Sequence, residues 1–278
     1  MRATSDSLYI LIFTSQNDDS SNYSILVLRL CNSSHFNEEL NFSAIFTAYS
    51  LKTGSMNRKI FALSVHLFTA IGSILAFWAL LLIVRGEPQY SLFVLALAVI
   101  VDSVDGTLAR KADVTTYAPY IDGALMDNIA DYLNWVLLPV FWAYTFLDLP
   151  FFAGSVVLFM SLLGFSHKQA KTEDNFFRGF PSYWNIVILY LYVLGANSWI
   201  SAAVMLILAI MVIVPVKFIY PSRTSKWKKP TLLLSIPYTV IIFMMLYFLR
   251  ETPLWLTLAS FYYPVYYVAV SIYQSKNS

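Results

Sequence analysis

Long apolar runs alternate with short polar breaks along the chain from residue 61 to residue 272. Several of these runs reach the ~20 residues that a helix needs to cross the hydrocarbon core of a bilayer. The pattern predicts eight membrane-spanning helices, near 61–84, 90–109, 119–146, 151–165, 181–194, 199–219, 231–249 and 254–272. The expected fold is therefore all-α, a polytopic membrane bundle of about eight transmembrane helices.

The composition agrees with a membrane protein. Of the 278 residues, 58% are hydrophobic and 12% are charged, whereas a soluble domain is nearer a quarter charged. The net charge of +2 gives no indication of a nucleic-acid partner. Because Cys31 is the only cysteine, an intramolecular disulfide is excluded.

Residues 1–55 differ from the rest of the chain. They are rich in Ser and Asn, and they lack the order of features that a secretory signal has. Met56 is followed by Asn57, Arg58 and Lys59 and then by the first long apolar run, which is how inner-membrane proteins commonly begin. We expect residues 1–55 to be an N-terminal extension that is poorly ordered or absent from the functional chain, and residues 56–278 to form the transmembrane domain.

The basic residues predict an orientation, because Lys and Arg concentrate in the cytoplasmic connections of membrane proteins. On one side of the predicted bundle the basic residues are few, Arg85 and Arg250. Those of the other side are Arg58, Lys59, Arg110, Lys111, Lys168, Lys171, Arg178, Lys217, Arg223, Lys226, Lys228, Lys229 and Lys276. This asymmetry predicts that both termini and residues 102–131 lie on the cytoplasmic side of the membrane.

Four carboxylates lie among the apolar runs, at Asp102, Asp105, Asp127 and Asp131. Acids at such depth are costly and usually mark a functional site. Asp102 and Asp105 are three residues apart and share a helix face, whereas Gly123, Asp127 and Asp131 are four apart and form one stripe of another helix. Two acidic faces on either side of a short connection can close around metal ions.

The residues around these acids favour a phosphate-containing substrate. Aspartate suits hard cations such as Mg²⁺ and Mn²⁺, which commonly accompany phosphate. Gly106, Ala109 and Gly123 are small enough to leave room for a bulky substrate, and Arg110 offers a fork of donors for phosphate. Two alternatives remain open from the residues alone: a structural network of acids with basic side chains, and the cation path of a transporter.

The motif Asp102-x2-Asp105-Gly106-x2-Ala109-Arg110, followed by a spacer and Gly123-x3-Asp127-x3-Asp131, resembles the signature of the CDP-alcohol phosphotransferases. Every defining position of that signature is filled. The spacer from Lys111 to Asp122 has twelve residues, which is longer than in most of that superfamily. It is similar to the spacer of the bacterial branch that joins choline to CDP-diacylglycerol, and segments 65–70, 179–185 and 215–224 also resemble that branch.

The resemblance implies an enzyme that condenses CDP-diacylglycerol with choline and releases CMP. It implies that Asp102, Asp105 and Asp127, with Asp131, bind two Mn²⁺ or Mg²⁺ ions, and that Asp131 is the general base. It further implies that Arg110 neutralises the leaving CMP, and that the nucleotide is admitted by the small residues Gly106 and Ala109. Members of this family are often homodimers, and nothing in these residues decides the oligomeric state.

Choline has a quaternary ammonium group, which proteins recognise with aromatic faces and often a nearby carboxylate. Tyr120, Tyr132, Tyr183 and Trp184 are the candidates for this contact. His66, in the first predicted span, is expected to bond to a neighbouring helix, with a catalytic role as the alternative.

Other acceptors within the same family are serine, inositol phosphate and glycerol phosphate. A phosphorylated acceptor would need a cluster of basic residues beside the acids. Within the acidic stretch only Arg110 and Lys111 are basic, which favours an uncharged or cationic acceptor.

Overall fold

The computed structural model of the protein describes residues 38–168, 170, 172, 176–220 and 227–277. Its contacts divide the chain between Met56 and Asn57, and the second part contains the predicted spans and the four acids. The helices are α1 (Glu38–Val84), α2 (Pro88–Ala112), α3 (Val114–Tyr117), α4 (Gly123–Asp131), α5 (Leu138–Phe146), α6 (Phe151–Ser166), α7 (Trp184–Val193), α8 (Ser198–Ile213), α9 (Lys228–Phe248), α10 (Leu254–Ser260) and α11 (Tyr262–Asn277). A π-helical segment, Tyr132–Leu137, joins α4 to α5, and a 3₁₀ turn, Leu249–Glu251, follows α9.

The prediction of a helical membrane protein is confirmed. Among the described residues, the stretches Met56–Val84, Pro88–Ala112 and Lys228–Glu251 are long and apolar enough to cross a bilayer. The shorter apolar helices α6, α7 and α8 agree in position with three further predicted spans. The protein is an integral membrane protein, and the count of eight spans stays a prediction.

A small antiparallel sheet departs from the all-helical expectation. Strand β1 (Phe176–Arg178) pairs with β2 (Lys217–Ile219), and Phe177 lies opposite Phe218. The predicted sixth span, which ran to residue 219, was therefore too long. Helix α8 ends at Ile213 because Val214 precedes Pro215 and adopts the extended backbone that proline imposes on the residue before it.

The third predicted helix begins later than Pro119. Its first residue is Gly123, and Asp122 caps it by accepting a hydrogen bond from the Leu125 N–H at 2.9 Å. An N-terminal capping carboxylate satisfies a free N–H of the first turn, and proline at the first position gives no such bond. The helical path then continues through the π-helical segment into α5 without a break.

Two other predicted spans differ in their bounds. The fifth begins at Trp184 and not at residue 181, because Ser182 has a left-handed backbone with φ of 58°. The eighth is divided into α10 and α11 at Phe261. Pro264, three residues after this break, has no N–H with which to continue an α-helical hydrogen-bond ladder from α10.

The main core fills the space between α2, α5 and the helices that follow. Its largest fully buried side chains include Trp142, Trp184, Met205 and Met245. Both indoles have partners, since Trp142 Nε1 donates to Ser91 Oγ at 3.0 Å and Trp184 Nε1 donates to Ser161 Oγ at 3.0 Å. This packing holds α2 and α5 in place, and α2 and the helix leading into α5 carry the acids.

Gly179 permits the close approach of the β1 connection to α8. Its φ is +81°, and a Cβ at this position would overlap the backbone oxygen of Val212. The Gly179 N–H donates to the Val216 oxygen at 2.8 Å, and the Phe180 N–H donates to the Met211 oxygen at 2.9 Å. The chain therefore lies directly on the end of α8, where no side chain fits.

We expect Gly179→Ala to destabilise the protein by more than the ~1–2 kcal/mol that a left-handed backbone costs an L-residue, because the overlap adds to that cost. Gly195→Ala is the matched control: its φ is +64°, but nothing lies within 4 Å of its Cβ position. Thermal unfolding of both variants in detergent measures the difference. Equal melting temperatures would mean that the contact with Val212 adds nothing.

Candidate active site

The two acidic faces predicted from the sequence face each other. Helix α2 carries Asp102 and Asp105, and α4 carries Asp127 and Asp131. One carboxylate oxygen from each of Asp102, Asp127 and Asp131 lies within 4.8 Å of the others. Asp105 is 4% exposed and lines the same small cavity as the other three. The four acids thus form one site between α2 and α4.

The donor set at this site fits a divalent metal ion. Carboxylate oxygens at such separations repel one another unless a cation or a proton lies among them. Mg²⁺ and Mn²⁺ prefer oxygen ligands of this kind. Asp102, Asp127 and Asp131 are each only partly buried, so the group is open to ligands from outside.

Helix α1 forms a third wall of the cavity, which the sequence analysis missed. Thr69 and Gly72 line it together with the acids. A Cβ on Gly72 would lie 3.4 Å from the Ala130 Cβ, so α1 and α4 are in close contact here. Asn134 joins the two helices by donating to the Gly72 oxygen and to the Ala130 oxygen, each at 2.9 Å. The sequence did contain a signal for this contact, since Asn134 is a polar residue in an apolar helix, three positions after Asp131.

An aromatic wall adjoins Asp102. Trp135 Nε1 donates to Asp102 Oδ2 at 3.3 Å, and the Trp135 ring lies 5.4 Å from the ring of Tyr183. Tyr183 in turn contacts Tyr267 and Phe180, with ring centroids 5.9 Å and 6.5 Å away. The aromatic wall, defined as Trp135, Tyr183 and Tyr267, places ring faces and edges next to a carboxylate.

The four aromatic residues predicted to contact choline occupy different environments. Tyr183 belongs to the aromatic wall. Tyr120 is 73% exposed, and the Tyr132 hydroxyl donates to the Leu158 oxygen at 3.1 Å. Trp184 is fully buried in the core. Of the four, Tyr183 is the one that the structure links to Asp102, through Trp135.

The predicted phosphate-binding residues lie on α2 beyond the acids. Arg110 is exposed, and its Nη2 donates to Thr107 Oγ1 at 3.0 Å. Its Nη1 would be 3.6 Å from a Cβ on Gly106, so the guanidinium folds back over this glycine. Ala109, one residue before Arg110, is partly buried and packs with a small cluster around Ala62.

The space beside Gly123 is occupied by His66 of α1. A Cβ on Gly123 would lie 2.8 Å from His66 Cε1 and 3.3 Å from Nδ1. His66 is 4% exposed, and its Nε2 has no hydrogen-bond partner in the described part of the chain. The expected bond to a neighbouring helix is therefore not formed at Nε2. Gly123 is small because an imidazole lies against it.

Comparison with known families matches residues 62–215 to the CDP-alcohol phosphatidyltransferase family. This match covers more than half of the chain and contains all four acids. The protein belongs to the CDP-alcohol phosphatidyltransferase family. The family depends on a divalent metal ion, and the site between α2 and α4 offers the ligands for one.

Several curated relatives have a more specific name, phosphatidylcholine synthase. The protein of that name from Pseudomonas aeruginosa is 41% identical over 170 residues, which are 60% of this chain and 71% of the relative. The one from Borreliella burgdorferi is 38% identical over 66% of this chain and 78% of its own length. The one from Brucella melitensis is 33% identical over 70% of this chain and 72% of its own.

The contact between His66 and Gly123 predicts that adding one methyl group at residue 123 lowers the melting temperature. Gly123→Ala would push the buried imidazole aside, so we expect a lower melting temperature. In a His66→Ala background the space is free, and the same substitution should cost much less. The two substitutions should therefore be non-additive, as residues in direct contact commonly are.

A double-mutant cycle of melting temperatures measures this coupling. Gly106→Ala is the control, because its Cβ would meet Arg110 Nη1 at an ordinary 3.6 Å. If the costs of Gly123→Ala were the same in both backgrounds, His66 would not be the reason for glycine at this position.

Proposed function

We propose that this protein is a phosphatidylcholine synthase that condenses CDP-diacylglycerol with choline to give phosphatidylcholine and CMP. The observation that carries the proposal is the group formed by Asp102, Asp127 and Asp131, on the segment that matches the family. The names of the relatives support choline as the acceptor. The aromatic wall beside Asp102 supports it independently, since it suits a quaternary ammonium group.

The four acids are proposed to hold two divalent ions, which we expect to be Mn²⁺. When bound, the ions neutralise charge on the diphosphate of CDP-diacylglycerol. Arg110 binds the phosphate of the leaving CMP: its guanidinium is exposed, and it reaches the phosphate by turning away from Gly106 and Thr107. The small residues Gly106 and Ala109 leave space for the nucleotide. Positioning and charge stabilisation are the main requirements of phosphoryl transfer.

Asp131 is proposed as the general base. It takes the proton from the choline hydroxyl as that oxygen attacks the phosphorus bearing the diacylglycerol. The new oxygen–phosphorus bond forms as the bond from that phosphorus to the CMP oxygen breaks, and CMP leaves with the electron pair. Asp131 suits this role because it is the last residue of α4 and lines the cavity together with Asp102 and Trp135.

Choline is proposed to bind against Trp135 and Tyr183. Their rings are 5.4 Å apart, and the Trp135 N–H fixes the indole to Asp102. This contact would place the trimethylammonium group near a carboxylate and against ring faces, which are the two features that bind such a cation. A phosphorylated acceptor would meet acids and aromatic rings here, and not the basic cluster that its charge requires.

We place the site at the cytoplasmic face of the bacterial inner membrane. The support is the concentration of Lys and Arg in the connections on the side of the acids. CDP-diacylglycerol then enters from the bilayer with its head group at that face, and choline enters from the cytoplasm.

The test of the function is CMP release from CDP-diacylglycerol by the purified protein with Mn²⁺. We expect release with choline, and at least about tenfold less with serine, inositol phosphate or glycerol phosphate, which corresponds to ~1.4 kcal/mol of discrimination. Removal of the metal by a chelator should stop the reaction. Asp131→Asn should also stop turnover but still bind Mn²⁺, because the other three acids remain.

The other outcomes separate the alternatives. Preferred release with one of the other acceptors would assign a different phosphatidyltransferase, and no release with any acceptor would favour a transporter. Near-full turnover by Asp131→Asn would assign the base to another group.

The choline subsite predicts a selective effect on the Michaelis constant. We expect Tyr183→Leu and Trp135→Leu each to raise the choline KM about five- to thirtyfold, the range that corresponds to the ~1–2 kcal/mol of a desolvated cation–π contact. The KM for CDP-diacylglycerol should change little. Tyr120→Leu, Tyr132→Leu and Trp184→Leu are the comparison set, and Tyr120→Leu should behave as the wild type because its ring is exposed. Unchanged choline KM values for Tyr183→Leu and Trp135→Leu would place choline elsewhere.

A further inference from the structure

One side-chain oxygen at the acidic cavity lacks a partner. The Oδ1 atom of Asn134 is buried and accepts no hydrogen bond from the described part of the chain. The whole residue is 4% exposed, and it lies on the wall of the cavity that the four acids line. A buried acceptor without a partner is costly, and in a native protein it calls for an explanation.

The hydrogen bonds of the Asn134 side-chain nitrogen fix the orientation of this amide. Asn134 Nδ2 donates both of its hydrogens to backbone oxygens, one of Gly72 and one of Ala130, each at 2.9 Å. Carbonyl oxygens cannot donate, so exchanging the amide nitrogen and oxygen would place acceptors against acceptors. The nitrogen must therefore face the backbones of α1 and α4, and Oδ1 must face the other way.

The acids of the cavity cannot satisfy Oδ1 while they are ionised. Ionised carboxylates accept hydrogen bonds but do not donate them. The acids of the cavity, Asp102, Asp105, Asp127 and Asp131, therefore present the same kind of group as Asn134 Oδ1. A cation is the partner that satisfies all of these oxygens together, and amide oxygens are established ligands of hard divalent ions.

We propose that Asn134 Oδ1 is a neutral oxygen ligand of the metal ion held by Asp102, Asp127 and Asp131. It adds a ligand without adding negative charge to a group whose carboxylates are already crowded. The anchoring of Nδ2 to α1 and α4 fixes the position of this ligand before the metal binds. The proposal deepens the metal-dependent function proposed above and rests on it.

The test measures Mn²⁺ binding and not only turnover. The full-length protein in detergent is titrated with Mn²⁺, and free Mn²⁺ is followed by its electron paramagnetic resonance signal. We expect Asn134→Ala to weaken Mn²⁺ binding about tenfold, in the range typical for loss of a group that supports a metal site. Ser201→Ala is the matched control: its oxygen is also buried and without a partner in the described residues, but it lies outside the cavity wall. It should bind Mn²⁺ as the wild type does.

A second variant separates a metal ligand from a purely structural tether. Asn134→Asp keeps an oxygen at this position but loses the donors to Gly72 and Ala130. If Oδ1 is a ligand, the melting temperature without metal falls, but Mn²⁺ raises it by more than in the wild type. If Asn134 only ties α1 to α4, the melting temperature falls and the shift produced by Mn²⁺ stays the same or shrinks.

The proposal is overturned by unchanged Mn²⁺ affinity in Asn134→Ala or by the tether outcome in Asn134→Asp. If Asn134→Ala does not fold, Asn134→Asp decides alone. Neither result bears on the acceptor, because CMP release by the wild type with choline is measured separately.

Discussion

Mutual repulsion of carboxylates is the constraint on which this structure depends. Asp102, Asp127 and Asp131 bring oxygens within 4.8 Å of one another between helices that are otherwise apolar. Such an arrangement persists only if packing elsewhere holds α2 and α4 in position, or if a cation or a proton lies between the carboxylates. The buried core around Trp142 and Trp184 and the close contact of α1 with α4 at Gly72 give the first kind of support. A divalent metal ion, on which the family depends, would give the second.

The two sides of the site differ in the charge of the ligand that each suits. On the side of Arg110 and Gly106, the surface carries an exposed basic group next to a residue without a side chain. These features suit the phosphates of a nucleotide. Toward Trp135 and Tyr183, the surface is aromatic, and the Trp135 N–H binds it to Asp102. An anionic donor and a cationic acceptor can therefore approach the same carboxylates from opposite surroundings, each with the charge that its surroundings favour.

The sequence was sufficient to predict the helical class, the membrane and the facing of the two acidic stripes. These follow from hydrophobic runs and from helical spacing, which are local properties. It was not sufficient for contacts that depend on a third element. Nothing within 123–131 shows that His66 lies against Gly123, and nothing around residue 134 shows that its amide reaches Gly72 on α1. Helix ends were misplaced where one cap or one proline decided them, as at Asp122 and Pro215.

The π-helical segment Tyr132–Leu137 separates the acids from the core along one continuous helical path. A π turn holds more residues than an α turn, so the segment shifts the angular phase of everything after it. Asp127 and Asp131, before the segment, therefore point in one direction around the helix axis. Val140 and Trp142, which follow it and are buried in α5, point in another. A one-residue deletion within the segment would restore a regular helix and rotate one set away from its neighbours by about 100°. The segment therefore lets one helical path direct its acids into the site and its apolar side chains into the core, which a regular α-helical repeat would not do.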